Sequence, residues 1–265
     1  MQQLGLNISG GDAKTRFVAS ASHNDNKGII VGNRFVRTSG RLALDHNIYS
    51  WLDIGGNINI NKIDNYRVSS DNAFSNPLQL NALSPLQPIR RDGILNNYTI
   101  YYNNLIDLEN GKNLSNTYRT FANTYLSAKI TPNLTFRSEY GFDFLNLEEE
   151  LYLGSRTQDG GDVGGYGFNH VAKSINYNTN NTLNFNKSFN ELHDVSVLVG
   201  MSYQDAQFRY TQAEGKNFPS DQFQKIESAA VKSNASSYED QYAFLSYFAR
   251  ANYKFNNRYL LEASI

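Results

Sequence analysis

Apolar and polar residues alternate with a period of two through most of this chain. The stretch LDIGGNININ, residues 52–61, shows the pattern most clearly, because every second position is Leu, Ile or Gly and the others are Asp, Gly or Asn. A period of two puts successive side chains on opposite sides of a β-strand. The same alternation recurs in residues 134–144, 175–186, 195–204 and 243–255. These five stretches therefore predict strands with one apolar side and one polar side.

Weaker alternation adds further strands. It covers residues 3–10, 15–24, 34–47, 118–130 and 259–265, which brings the total to about ten strands. Many of them reach the roughly 9–11 residues that a tilted strand needs to cross a bilayer. No segment has a convincing helical period.

The connections between these strands alternate in length. Short turns are predicted at residues 10–14, 47–51, 131–133, 188–194 and 256–258. Long connections are predicted at residues 65–116, 148–173 and 207–241, while the one at 26–33 is brief. Short turns at one rim and long loops at the other are typical of an outer-membrane barrel, and a β-sandwich has no reason to keep that order.

The composition of the apolar sides indicates what they contact. They mix Gly, Ala, Thr and Ser with aromatic residues, which would pack a dry protein core poorly but is acceptable against fluid lipid. Aromatic residues also cluster near strand ends, as Tyr49, Trp51, Phe255 and Tyr259 do. The pattern predicts an all-β fold, an antiparallel transmembrane β-barrel segment of about ten strands with short periplasmic turns and long extracellular loops.

Composition narrows the possible partners. The 265 residues include 34 Tyr and Phe, 35 Asn and no Cys, with a net charge of −1 and a mean hydropathy of −0.53. A nearly neutral chain gives no electrostatic basis for binding nucleic acid. The lack of cysteine excludes disulfides and thiolate metal sites. No apolar run is long enough for a transmembrane helix.

Five segments together resemble the barrel of the SusC/RagA family, TonB-dependent outer-membrane transporters of Bacteroidetes-type bacteria. They are SGGDAKTRFVASASHNDNKGII, FVRTSGRLALDHNIYSWLDIGGNINI, NTYRTFANTYLSAKITPNLTFRSEYGFDF, HDVSVLVGMSYQD and YFARANYKFNNRYLLEASI. The resemblance implies a large plugged barrel in the bacterial cell outer membrane, embedded in lipid. It also implies import of large nutrients such as oligosaccharides or peptides, with a SusD-like surface lipoprotein as partner.

The family pattern is not complete in this sequence. A signal peptide, a TonB box, a plug domain and a terminal strand ending in an aromatic residue are not found. Residues 1–265 are therefore interpreted as a partial TonB-dependent receptor β-barrel domain. Coupling to the TonB–ExbB–ExbD system would pass through the missing plug region.

No catalytic, cofactor-binding or metal-binding residues are predicted, and the protein is not expected to be an enzyme. The four histidines, His23, His46, His170 and His193, lack a ligand motif. Asp159 and Asp162 in QDGGDVGGYG fit a flexible external loop better than a calcium site, because Gly and Asp dominate turns.

Three tyrosines in the first long connection are candidate contact residues: Tyr98, Tyr101 and Tyr102. Their rings suit stacking on sugars or a partner interface, or they pack the loop against itself, and the sequence leaves these three roles open. Two alternatives to the importer also remain, namely a passive porin-type channel and a secreted β-sandwich glycan-binding module.

Overall fold

The computed structural model describes residues 1–68 and 77–265, most of which belong to long antiparallel strands. The strands are β1 (Gln2–Gly11), β2 (Thr15–Lys27), β3 (Arg34–Tyr49), β4 (Leu52–Tyr66), β5 (Arg90–Arg91), β6 (Ile94–Leu95), β7 (Gly111–Thr131), β8 (Leu134–Leu153), β9 (Tyr166–Phe189), β10 (His193–Lys216), β11 (Val231–Phe255) and β12 (Tyr259–Ser264). All but β5 and β6 form one sheet in chain order, with β1 and β12 at its edges. The predicted ten-stranded antiparallel sheet is confirmed.

Two short helices interrupt the connections at one end of the sheet. Helix α1 (Leu105–Asn110) lies in the β4–β7 connection together with a 3-10 turn at Pro77–Ala82 and the β5–β6 pair. Helix α2 (Gln158–Gly161) lies between β8 and β9, and a second 3-10 turn, Ile226–Ser228, lies between β10 and β11. The sequence did not predict these helices, which are too short to show a period. Among the described residues, none of the helices is both long and apolar enough to cross a membrane.

The pairing register keeps like side chains on the same side of the sheet. Ile58 lies opposite Leu42 and Ala122 on the two neighbouring strands, and Val197 lies opposite Phe185 and Ala251. Directly paired residues of an antiparallel sheet point to the same side, so the apolar sides of the strands join into one surface. We call this surface the apolar face and the opposite surface the polar face.

Nothing in the described part of the chain forms a second layer across the apolar face. The only other sheet there is the two-residue pair β5–β6, and the helices lie in connections. Ile58 and Tyr253 on the apolar face keep 37% and 38% of their surface exposed. A β-sandwich would bury this face against another sheet, so the single layer contradicts the sandwich alternative.

The apolar face has the height of an outer-membrane hydrocarbon layer. On β10 it runs through Val195, Val197, Val199, Met201 and Tyr203. The ten residue steps from His193 to Tyr203 span roughly 33 Å of strand, or about 25 Å after a tilt of about 40°. We call this part of the sheet the apolar band.

The strands continue beyond the apolar band. There the side that was apolar becomes polar, and the side that was polar gains apolar residues. On β10 the side that carries Tyr203 continues with Asp205, Gln207 and Arg209, whereas the opposite side acquires Phe208 and Tyr210. On β8 the side of Phe144 likewise continues with Asn146, Glu148 and Glu150, and the opposite side carries Leu145, Leu147 and Leu151. The polarity of the sheet therefore inverts outside the apolar band.

This inversion explains one error of the sequence-based prediction. The long connections predicted at residues 148–173 and 207–241 are shorter than predicted and run over residues 154–165 and 217–230. The reason is that β8 extends to Leu153, β9 starts at Tyr166, β10 extends to Lys216 and β11 starts at Val231. The alternation persists there, but with the apolar residues on the other side. A pattern that requires one constant apolar side consequently ends too early.

The turns at the other end of the sheet are tight and contain left-handed residues. Asn190 and Glu191 join β9 to β10 with φ of 51° and 55°, and Asn256 and Asn257 join β11 to β12 with φ of 45° and 54°. Two successive residues with positive φ give a turn whose twist matches that of the strands, and Asn tolerates this conformation well. The predicted short turns at residues 188–194 and 256–258 thus have a local cause.

Candidate interaction surface

The connections between β4 and β7, β8 and β9, and β10 and β11 gather at the end of the sheet beyond the apolar band. We call this end the outer rim. It contains the three tyrosines predicted from the sequence and most of the ion pairs between distant segments. The outer rim is therefore the part of the molecule where ligand or partner contacts are best placed.

Tyr102 holds two connections together. Its hydroxyl donates a hydrogen bond to Asp107 Oδ1 at 2.6 Å and accepts one from the backbone N–H of Gln158 at 3.1 Å. Burial, followed by the hydrogen bond to Asp107, raises the pKa of Tyr102 far above its usual range. Burial also raises the pKa of Asp107. The Tyr102 hydroxyl is thus engaged within the protein.

Tyr98 and Tyr101 differ in their access to solvent. Tyr98 is 81% exposed beside Ile100, which is 88% exposed. Tyr101 is half-buried, and its carbonyl oxygen accepts a hydrogen bond from the Thr99 hydroxyl. Of the three predicted residues, Tyr98 presents the largest free surface. Their contact with a ligand or a partner stays a prediction.

Asp221 joins the β10–β11 connection to the β8–β9 connection. Its carboxylate accepts hydrogen bonds from the Tyr152 hydroxyl at 2.9 Å, the Ser155 backbone N–H at 2.8 Å and the Ser155 hydroxyl at 2.9 Å. Burial alone would raise the pKa of Asp221, but these hydrogen bonds outweigh it, and the pKa lies below its ordinary value. Tyr152 also packs edge-to-face on Phe218, with ring centroids 5.1 Å apart. This junction was not predicted, since nothing local in the sequence links these segments.

Two adjacent glutamates of β8 form a second junction. Glu150 pairs with Lys112 of β7 and with Lys225 of the β10–β11 connection, both at 2.7 Å. Glu149 pairs with Arg67 at 2.8 Å and with His170 at 3.0 Å. Burial raises the pKa of each glutamate, but the partners outweigh it, so both pKa values are lowered. The outer rim is thereby tied into one network.

The polar face carries a separate chain of contacts inside the sheet. Tyr125 of β7 donates a hydrogen bond to Asp45 of β3 at 2.8 Å, reaching across β4. The side chain of Tyr125 crosses β4 at Gly55, where an added Cβ would lie 2.5 Å from the tyrosine ring. Arg137 lies over the ring of Tyr125 at 4.1 Å and donates to Glu139 at 2.6 Å. Side chains of β3, β7 and β8 are thus linked on this face, across β4.

The other residues singled out from the sequence have protein partners or lie on the surface. The histidine contacts are His23 with Thr38, His46 with Thr15, His170 with Glu149 and His193 with Tyr253. Asp159 lies in α2 and Asp162 directly follows it, and the helix is capped by the Thr157 hydroxyl. Within residues 1–68 and 77–265, no three His, Cys, Asp or Glu side chains group as metal ligands do.

Comparison with known proteins relates this arrangement to outer-membrane receptors. No protein-family profile matches the chain. TonB-dependent receptor P39 of Formosa agariphila is 26% identical over 274 aligned positions, which cover 99% of this chain and 25% of the receptor. TonB-dependent receptor P3 of the same species is 25% identical, covering 96% of this chain and 27% of the receptor.

Solved structures share the arrangement of strands. The RagAB peptide transporter superposes on 99% of this chain with a TM-score of 0.84 and 22% identity. The ferric-catecholate import receptor Fiu of E. coli gives a TM-score of 0.59 with 9% identity. The sheet is similar to part of the barrel of TonB-dependent receptors. The resemblance noted in the sequence is confirmed. The chain spans about a quarter of the receptors from Formosa agariphila and 31% of the matched RagAB chain.

Proposed function

We propose that this chain forms part of the wall of an outer-membrane TonB-dependent importer of large nutrients, such as oligosaccharides or peptides. The observation that supports this most is the continuous two-sided sheet, together with its alignment over almost the whole chain to TonB-dependent receptors. In such a barrel the apolar face contacts lipid and the polar face lines the lumen. This chain performs no covalent chemistry in that role.

The wall needs further strands to close. β1 and β12 each leave one edge without a partner strand among the described residues, and unpaired backbone groups are costly in hydrocarbon. We therefore assign residues 1–265 to a partial barrel domain of a longer protein. The plug that couples to the TonB–ExbB–ExbD system belongs, in this proposal, to the remainder of that protein.

The polar face favours uncharged polar cargo. It carries a series of amides, Asn57, Asn59, Asn176, Asn178 and Asn180, and several of its charged groups pair with each other, as Arg137 does with Glu139 and Arg119 with Asp143. Amides both donate and accept hydrogen bonds without the need for a charged partner. Phosphate or another strongly anionic cargo would instead call for clustered arginine or lysine.

A SusD-like surface lipoprotein is the proposed partner at the outer rim. Several large apolar side chains of the β4–β7 connection remain exposed: Leu86 at 93%, Ile89 at 63%, Ile94 at 52%, Tyr98 at 81% and Ile100 at 88%. Exposed apolar groups that cluster on one connection are typical of a protein interface. RagAB, the transporter with the matching barrel, carries peptides, and we propose peptides and oligosaccharides on an equal footing as cargo classes for this chain.

Energy dependence of uptake tests the importer. In cells that produce the full-length parent protein, we expect nutrient uptake to stop when TonB is deleted or a protonophore is added. Uptake that continues under both treatments and follows the concentration gradient would establish the passive porin alternative instead. A deletion of the parent gene, with and without complementation, serves as the control for other routes of entry.

A further inference from the structure

Aromatic rings cross three strands on the polar face near the outer rim. The ring of His170 on β9 lies 4.5 Å from that of Tyr210 on β10, and Tyr210 stacks on Tyr238 of β11 with centroids 5.0 Å apart. Phe168 adjoins His170 at 6.2 Å, and Phe208 adjoins Tyr238 at 5.8 Å. We call these five residues the aromatic ladder.

The aromatic ladder lies on the side of the sheet away from lipid. Tyr210 is an even-numbered residue of β10, on the same side as Gln204, which pairs with Asn178 and Phe244 on the polar face. Tyr203, on the opposite side, marks the last residue of the apolar band on this strand. The ladder is therefore outside the membrane and faces inward if the barrel closes as proposed.

Two more rings extend the ladder along β11 toward the apolar band. Tyr242 and Phe244 lie 5.3 Å apart and are 47% and 61% exposed, while Tyr238 is 56% exposed. No second sheet covers these rings in the described part of the chain. Leaving several aromatic rings in water on one surface is unfavourable, and such patches commonly mark binding sites.

The surroundings of the ladder combine neutral polar side chains with three carboxylates. Gln212, Gln204, Ser174 and Asn176 flank it on the same side of β9 and β10. The carboxylates are those of Asp240, opposite Phe208, of Glu214, opposite Phe168, and of Glu149, which is paired with His170 and Arg67. Flat rings bordered by amides and hydroxyls offer stacking together with neutral hydrogen bonds, which is the combination that a sugar ring can use.

We propose that the aromatic ladder, with Tyr242 and Phe244, is a cargo-binding surface that stacks on the rings of neutral oligosaccharides. This inference rests on the proposed import function and selects one of its two cargo classes. The C–H groups of a sugar ring meet the negative face of an aromatic ring, and its hydroxyls reach the neighbouring amides. An extended peptide would instead pair its backbone with a free strand edge, which β11 offers among the described residues because β12 covers it only from Arg250 to Phe255, and such pairing would not need the rings.

Binding by the purified full-length parent protein in detergent tests the proposal. The probes are a panel of neutral oligosaccharides and, separately, a panel of peptides of matched length. We expect the wild-type protein to bind oligosaccharides, and Tyr238→Ala or Tyr210→Ala to weaken that binding about tenfold through one lost stacking contact. Tyr238→Phe and Tyr210→Phe keep the ring and should bind nearly as the wild type does.

Tyr247→Ala is the matched control. Tyr247 is a 73% exposed tyrosine of β11 on the apolar face, so its loss should leave oligosaccharide binding unchanged. Binding of peptides only, no binding of any oligosaccharide, or equal binding by wild type and the alanine variants of the ladder would overturn the proposal. Energy-dependent uptake in cells is scored separately. If that uptake persists after any of these results, the ladder proposal fails while the importer stands.

Discussion

At the scale of single residues, Gly55 has a clear physical role. The ring of Tyr125 lies over it, so that the hydroxyl reaches Asp45 at 2.8 Å. A methyl group at this position would lie 2.5 Å from both the ring and the Asp45 carboxylate. Contacts this short force a side chain or the backbone to move. The glycine is therefore required for the link between β3 and β7.

Replacing Gly55 should weaken the barrel. We expect Gly55→Ala in the full-length protein to cost about 1–3 kcal/mol, as overpacking typically does. The readout is the temperature at which the heat-modifiable barrel band is lost on a detergent gel. Gly40→Ala is the control, because an added Cβ at Gly40 meets nothing within 4 Å. Equal melting of both variants and the wild type would contradict this role.

Asp221 gives a second prediction at this scale. Removing its three hydrogen bonds in Asp221→Ala should lower the local opening free energy of residues 217–230 by about 2 kcal/mol. Faster hydrogen–deuterium exchange in that connection would show it. Asp162→Ala, at an exposed position of a neighbouring connection, should leave the exchange of residues 217–230 unchanged. Unaltered exchange in Asp221→Ala would mean that the junction is held by other contacts.

The pH dependence of this junction follows from the lowered pKa of Asp221. A carboxyl whose pKa is depressed by folding stabilises the folded form fully above its ordinary value of 3.8. That stabilisation is lost as the pH falls through the lower pKa of the folded state. We expect exchange in residues 217–230 of the wild type to quicken below about pH 4, after correction for intrinsic rates, and Asp221→Ala to lack this step.

Residue roles at the outer rim were only partly accessible from the sequence. The tyrosines of NNYTIYYNNL are predicted to contact a ligand or a partner, which stays a prediction, and Tyr98 is widely exposed. Tyr102, however, binds Asp107 and the backbone of Gln158, which lies 56 positions away in the chain. The local sequence does not single out Asp221, Glu149 or Glu150, because their partners come from other segments of the chain. Contacts between distant segments leave no local pattern.

At the scale of strands, the assignment of sides predicts where charge is tolerated. Val197 lies on the apolar face of β10 and Ser196, its chain neighbour, lies on the polar face between Asn186 and Asn252. Val197→Arg should destabilise the inserted barrel by about 2–4 kcal/mol, the cost of a cation in the middle of the lipid-facing surface. Ser196→Arg, at the same depth, should be nearly neutral.

Outer-membrane yield and heat-modifiability of the two full-length variants provide the measurement. A clear loss for Val197→Arg together with normal assembly of Ser196→Arg is the expected pair of results. The reverse pair, or equal losses, would mean that lipid does not contact the apolar face. This comparison measures the effect of the side of the sheet alone, because both changes introduce an arginine at adjacent positions of the same strand.

The sequence predicted the existence and order of the strands well and their outer ends poorly. Alternation with a constant apolar side is imposed by lipid, so it is strong across Val195 to Tyr203 and identifies the strand directly. Beyond Asp205, in the proposed barrel, water replaces lipid on the outer side. Apolar residues are therefore no longer required on that side. The aromatic ladder lies in this region, where a pattern with one constant apolar side predicts a loop.

At the scale of the whole molecule, the open sheet predicts that residues 1–265 do not form a stable barrel alone. Both edge strands would expose backbone groups to hydrocarbon, each at a cost of several kcal/mol. Expressed without the rest of the parent protein, the segment should be protease-sensitive in detergent and show no heat-modifiable band. A resistant, heat-modifiable species would show instead that these ten strands close on themselves.

The unequal lengths of the strands have a geometric consequence for anything that covers the barrel. β10 continues 13 residues past Tyr203, whereas β4 continues only 6 past Ile60, a difference in height of roughly 15–20 Å. In this part of the wall the strands thus end at a greater height at β10 than at β4. A cover that seats on this side of the barrel would meet strand ends at β10, but above β4 it would meet the β4–β7 connection, which therefore decides how closely the cover fits there.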